Sequence, residues 1–283
     1  MLRNKNNNLY KEKPTYRPMS SWKLKQLAKA QIRNPVLIEG LPGMGNVGKI
    51  AVDYLIDAFK AEKLYELSSN DLPHCVFINE ENLVELPKIN IYYKNFKDKT
   101  LLFLAGDIQP ISESSCFDFC NTVLDTFEKG KGKEIITLGG IALPRVPKNP
   151  KIYCTGNSKK MISRYKSQLV DTDIHGVVGP IVGVSGLLAG LAGRKKIPAV
   201  TLLAETFGHP NYLGIKGARN ILKILKQQLK LNLELSELDE EINDIEQEIA
   251  ERTRATSEVS KVMKKKAVYQ LPAAIEDDID YIG

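Results

Sequence analysis

The sequence predicts an α/β protein: a three-layer α/β/α sandwich followed by a C-terminal helical segment and a flexible tail. Three observations carry this reading. Short apolar runs of strand character recur at Val36–Ile38, Leu101–Ala105, Ile135–Leu138 and Ala199–Ala204. Each stops at glycines or polar residues, and stretches of helical period stand between them. Runs this short and apolar throughout are strands of a parallel-containing sheet with helices over both faces.

Residues 1–20 are polar, carry Pro14 and Pro18, and read as a flexible extension before a domain spanning 21–230. Trp22–Gln31 predicts a short helix ending before Asn34-Pro35, since proline biases its predecessor out of the helical region. Val36–Ile50 then joins the first buried strand to a helix whose inner face is Ala51, Leu55 and Phe59. Leu64–Leu67 is the next strand. Val76–Ile78, Leu83–Leu86 and Ile89–Tyr93 read as short strands of an antiparallel excursion.

After Leu101–Gly106 comes a helix capped by Ser112 or Ser114, with Phe117, Cys120, Val123, Leu124 and Phe127 on one face. Glu134–Gly140 and Val177–Gly183 repeat the strand-to-glycine pattern, and Ala199–Glu205 is the last strand. From about Gly217 the pattern changes. Ile224, Gln228, Leu231, Leu235, Leu238, Ile242, Ile245 and Ile249 follow alternating steps of three and four. Residues 231–263 therefore read as a helical segment, either packed on the sandwich or forming a seam between subunits through Leu231, Leu235, Leu238, Ile242, Ile245 and Ile249. Residues 264–283 have no period. They end on Tyr281-Ile282-Gly283, an aromatic and an aliphatic beside a terminal carboxylate, a combination used in tail capture.

Composition narrows the function classes. The formal net charge of +6 is spread over separate clusters at Lys129–Lys133, Arg194–Lys196 and Lys264–Lys266. None is interleaved with stacking aromatics, which argues against nucleic acid. No apolar run reaches the roughly 18 residues of a membrane span, and Met1–Lys13 has no apolar signal core. A cytoplasmic protein without membrane contact is expected. Cys75, Cys116, Cys120 and Cys154 lack zinc spacing and read as buried thiols, so no metal is expected.

Gly43, Gly45 and Gly48 match two nucleotide patterns at once: the dinucleotide fingerprint and, with Lys49, the phosphate loop up to its last residue. Ile50 stands where the magnesium-holding hydroxyl belongs. The dinucleotide pattern needs an acid after the second strand, yet Glu66 lies inside it and Pro42 precedes the first glycine. No cofactor is therefore expected. The loop remains a strand–helix hinge that either packs closely or holds an anion on its backbone N–H groups. Ser185 misses the Gly-x-Ser-x-Gly spacing of a nucleophile elbow. Asp107, Glu205 and His209 stand after strands, either as an acid–base group or as loop ties. No catalytic constellation is specified, and the expected protein is not an enzyme. The alternative is a nucleoside-phosphorylase-like enzyme or small-ligand binder using the crevice at the strand carboxyl ends.

Glu39-Gly40-Leu41-Pro42-Gly43-Met44-Gly45-Asn46-Val47-Gly48 resembles the opening motif of the proteasome assembly chaperone family in its archaeal, single-domain form. Gly106–Pro110, Leu138–Gly140, Gly179–Gly183 with Ser185–Leu188, and Leu203–Thr206 look like its later blocks, in the family's order. The resemblance implies a fold similar to nucleoside phosphorylases, no established catalysis, a homo-oligomer and ATP-independent help in proteasome assembly. It also implies that a C-terminal hydrophobic–Tyr–any motif docks between α-ring subunits. Here Tyr281 is third from the end and Asp280 precedes it, one place out of that register.

Overall fold

The computed structural model describes residues 21–174, 179–236, 238–240 and 242. Its strands are Trp22–Gln26 (β1), Val36–Glu39 (β2), Glu62–Ser69 (β3), Phe77–Ile78 (β4), Val84–Glu85 (β5), Ile89–Asn95 (β6) and Thr100–Gly106 (β7). Glu134–Leu143 (β8), Ile152–Gly156 (β9), Val170–Asp171 (β10) and Ala199–Phe207 (β11) follow. The helices are Val47–Phe59 (α1), Glu113–Lys129 (α2), Lys159–Tyr165 (α3), Val184–Arg194 (α4) and Ile215–Gln228 (α5).

Among the described residues, nine strands form one mixed sheet in the order β1-β3-β6-β7-β2-β8-β11-β9-β10. Its centre, β7-β2-β8-β11, is parallel, as the apolar runs predict. β6, β3 and β1 extend it antiparallel on one side, and β9 is antiparallel to β11 on the other. Alternation along β2 sends Leu37 into a core with Phe119, Cys120 and Leu124 of α2 and Leu188 of α4. Ile38 points to the opposite layer, where α1 packs with α5. Both side chains are fully buried, so both faces of the central strand are covered. The three-layer sandwich stands.

Several elements differ from expectation. Trp22–Gln26 is an edge strand, not the start of a helix. Trp22 faces inward, its indole packs edge-on against Phe119 at 4.7 Å, and Nε1 donates to the Ser115 carbonyl at 3.1 Å. Gly179–Gly183 is irregular rather than a strand, with Val182 87% exposed. β9 carries a tyrosine, a cysteine and a threonine and was not anticipated as a strand. Phe117 lies on the outer side of α2, and Cys75 is exposed, while Cys116, Cys120 and Cys154 are buried free thiols.

The chain divides into two compact units, Met1–Leu233 and Glu234–Gly283. The a/d register that begins at Ile224 is interrupted by a non-helical stretch. α5 ends at Gln228, Lys230 takes a left-handed φ of 52°, and residues 231–235 are not helical. Leu231 and Leu233 are buried at a spacing of two, as an extended segment places them. Helix resumes at Ser236, at 238–240 and at Ile242.

Candidate functional site

The site follows from unequal strand lengths. β2 stops at Glu39, opposite Thr137 of β8, whereas β8 continues beside β11 to Leu143. That leaves a crevice at the strand carboxyl ends, where open α/β sheets place ligands. Its cavity of about 320 Å³ is lined by Pro42, Met44, Gln109, Gly139, Ile181 and Ser185, among others. Gly43 and Gly48 after β2, Gly139 and Gly140 within β8, and the loop before α4 meet here. Gln109 ties them: Nε2 donates to the Pro42 carbonyl at 2.8 Å, and Oε1 accepts the Val184 N–H at 3.2 Å.

The three motif glycines do different things. Gly45 has φ +60°, and a Cβ there would lie 2.3 Å from Thr206 Oγ1. A Cβ on Gly48 would meet the Leu138 carbonyl oxygen at 2.6 Å, because α1 presses on β8. Gly43 has open space, and both it and Gly48 line the cavity. Lys49, the phosphate-loop lysine, reaches along α1 to Asp53 Oδ2 at 2.7 Å. No basic side chain is among the described residues lining the cavity.

Beneath this loop lies the residue that site reasoning from sequence passed over. Glu39 is fully buried, on the same face of β2 as Leu37. Its Oε1 accepts the Leu41 N–H at 3.1 Å, while Oε2 has no hydrogen-bond partner. Burial pushes its carboxyl up to about 7, against smaller opposing pulls from the Leu41 N–H, the Ser185 hydroxyl and the Leu138 backbone. Ser185 Oγ, at the start of α4 and in the cavity wall, donates to the Leu138 carbonyl at 3.1 Å. The only signal in the sequence is an acid two places after a core-facing leucine on a buried strand.

Asp107, Glu205 and His209 are not assembled into an acid–base group. Asp107 Oδ2 accepts the Lys88 N–H at 2.9 Å, toward the β6 side of the sheet. Glu205 turns the other way, accepting from the Lys151 N–H at 3.0 Å and the Tyr153 hydroxyl at 3.2 Å. β7 and β11 are three strand steps apart, roughly 14 Å at the usual spacing. His209 stacks on Phe207 and accepts the Asn211 N–H. Each of the three thus ties local structure. Among the described residues, no three His, Cys, Asp or Glu side chains converge as a metal site, and no helix is long and apolar enough to cross a membrane.

Of the proposed seam, Leu231 and Leu238 are buried, and Leu235 and Ile242 are half-buried. Ile245, Ile249, Tyr281, Ile282 and Gly283 lie outside the described residues.

A mixed-sheet sandwich with a glycine-walled apolar crevice defines the class, and the family follows from comparison. The chain belongs to the PAC2 family, whose model matches residues 37–253. Its structure is similar to PbaB of Pyrococcus furiosus, an archaeal proteasome activator, at 30% identity and a TM-score of 0.76, covering 83% of this chain and 100% of that one. PbaA of the same organism, an archaeal homolog of proteasome-assembly chaperone, shares the fold at 22% identity and a TM-score of 0.70, covering 89% and 100%. The uncharacterized protein MJ1210 of Methanocaldococcus jannaschii is 27% identical over 253 residues, 89% of this chain and 93% of that protein.

Proposed function

We propose that this protein is a cytoplasmic, ATP-independent and non-catalytic proteasome assembly chaperone or adaptor. In this reading it self-associates and docks its C-terminal tail on the proteasome α-ring. One observation carries the proposal: similarity to PbaB, a proteasome activator, along that protein's whole length and at 30% identity. The crevice is compatible with it: Gln109 and Ser185, the polar side chains among its described lining residues, are both engaged in ties to backbone groups. Tyr281, Ile282 and Gly283 are the proposed contact, with a terminal carboxylate for a ring lysine and a tyrosine as rigid amphipathic anchor. Binding of purified α-rings to the full-length chain and to one lacking 281–283 tests it. Loss on truncation supports tail docking; equal binding overturns it.

A second reading is favoured by one feature, the unpartnered Oε2 of Glu39, whose Oε1 holds the N–H of the cavity-lining Leu41. It makes the crevice a pocket for a small uncharged ligand. Screening nucleosides and other neutral compounds for a saturable thermal shift tests it, and a flat response overturns it.

A further inference from the structure

β2 accompanies β8 only as far as Glu39 opposite Thr137, whereas β11 follows it to Leu143. In a parallel sheet the main-chain groups of successive residues turn alternately to the two neighbouring strands. The phase along β8 is fixed at both ends. The Ile135 N–H donates to the Pro198 carbonyl and the Leu143 carbonyl accepts the Gly208 N–H, so odd-numbered residues serve the β11 side. Even-numbered residues face the other way, and there the Leu138 carbonyl accepts from Ser185 Oγ at 3.1 Å. Beyond it, the N–H and C=O groups of Gly140 and Ala142 turn into the crevice that both residues line. Among the described residues, no strand or loop bonds to them on that side. Gly140 is half-buried and Ala142 exposed, so this edge can be reached from solvent. It offers two donor–acceptor pairs roughly 6.6 Å apart, the spacing of alternate strand residues.

The walls select the occupant. They belong to opposite layers of the sandwich. On the α1 side the Met44 carbonyl oxygen lies 2.2 Å from where a Cβ of Gly140 would stand. On the α4 side Ile181, Ser185 and Leu203 line the cavity. The edge therefore sits in a slot, which admits one extended chain and not the margin of another sheet. No charged side chain is among the described lining residues, and at its mouth Met44 and Val182 are 43% and 87% exposed. Gln109 and Ser185 are tied to backbone groups, so what the slot offers a ligand is the main-chain edge between apolar walls. An extended peptide carries the matching donors and acceptors at the same two-residue spacing, and it turns successive side chains to the two walls. A small molecule reaches one pair of these groups; a strand satisfies both.

We infer that the crevice is a strand-addition site, in which an extended, uncharged peptide segment of a partner protein pairs with Gly140 and Ala142 of β8. The segment carries apolar side chains at its wall-facing positions and continues the sheet in line with β2. An unpaired strand edge is a template for such pairing, and here the slot restricts it to a single chain. This goes beyond the small-ligand reading of the same crevice and is independent of tail docking.

Panning displayed random octapeptides on the full-length chain supplies the probe, and fluorescence anisotropy of the strongest synthetic binder reads its affinity. That peptide is uncharged and apolar at its wall-facing positions. N-methylation of one alternate set of its residues weakens binding at least tenfold, while N-methylation of the other set changes it less than twofold, because only one edge of the peptide meets β8. Ala142→Pro removes one crevice-facing N–H at an exposed edge position, where proline is tolerated, and weakens binding at least tenfold. Ala142→Thr keeps that N–H and keeps the affinity. Unfolding midpoints are measured beside each affinity, and the two N-methylated peptides decide the matter if Ala142→Pro unfolds. Equal effects of the two N-methylated sets, or undiminished binding by a folded Ala142→Pro, overturn strand addition. So does a panning that yields no saturable binder, and a saturable thermal shift with a neutral small compound then leaves the pocket reading standing alone.

Discussion

Lys49 Nζ lies 2.7 Å from Asp53 Oδ2, one turn further along α1. The lysine that completes the phosphate-loop pattern is therefore engaged by its own helix. With Ile50 in place of a hydroxyl and no basic side chain among the described cavity-lining residues, the loop lacks the charges that hold a nucleotide.

ATP, GTP and inorganic phosphate accordingly leave the unfolding temperature unchanged. Lys49→Ala costs only about 0.3–0.5 kcal/mol, the usual worth of a partly exposed pair at this spacing. A saturable nucleotide shift that disappears in Lys49→Ala would return the phosphate-loop reading.

Glu39 predicts a pH dependence. Its carboxyl, pushed up to about 7 by burial, holds its proton more tightly in the folded chain than in the unfolded one. The group's contribution is therefore most favourable below the unfolded carboxyl value of roughly 4.3 and declines as pH rises toward 7. Above that it is flat. The whole window is worth about 4 kcal/mol. Urea unfolding at a series of pH values from 5 to 8 measures it, and Glu39→Gln removes most of the slope. An unchanged slope in Glu39→Gln assigns it to another group.

The motif glycines separate packing from ligand binding. Gly48→Ala places its methyl 2.6 Å from the Leu138 carbonyl oxygen and destabilises by about 1–3 kcal/mol, as overpacking does. Gly43→Ala enters open space at an extended φ of −159° and leaves stability within about 0.5 kcal/mol. Equal losses at both positions, measured by chemical unfolding, contradict this account of the loop.

What was legible in the sequence follows the same physics. The strands β2, β7, β8 and β11 announced themselves because a strand buried on both faces has to be apolar throughout. β1 did not, since Trp22, Leu24 and their lysines are compatible with one turn of helix as well as with alternation. Leu231, Leu235 and Leu238 keep coiled-coil steps, yet the left-handed Lys230 interrupts the helix that those steps assume. The glycine clusters located the crevice. Glu39 opens the family-like motif, but its burial is not legible there: an acid closing an apolar run looks like the end of burial, and only the longer β8 and α4 enclose it.

Trp22 tests the corrected edge. Its ring packs on Phe119 and its N–H reaches Ser115, 93 positions away, so it fastens β1 to α2. Trp22→Ala costs about 3–5 kcal/mol, the range for deleting a buried aromatic. Amide exchange in Lys23–Gln26 rises with it. A loss under about 1 kcal/mol contradicts that anchoring role.

The central claim is that the chain acts on the proteasome through its C-terminus. Its most direct test is the affinity of purified α-rings, without nucleotide, for the full-length chain and for a truncation lacking Tyr281–Gly283. The account predicts saturable binding by the first and its loss in the second, with the unfolding midpoint unchanged. Equal affinities would contradict it.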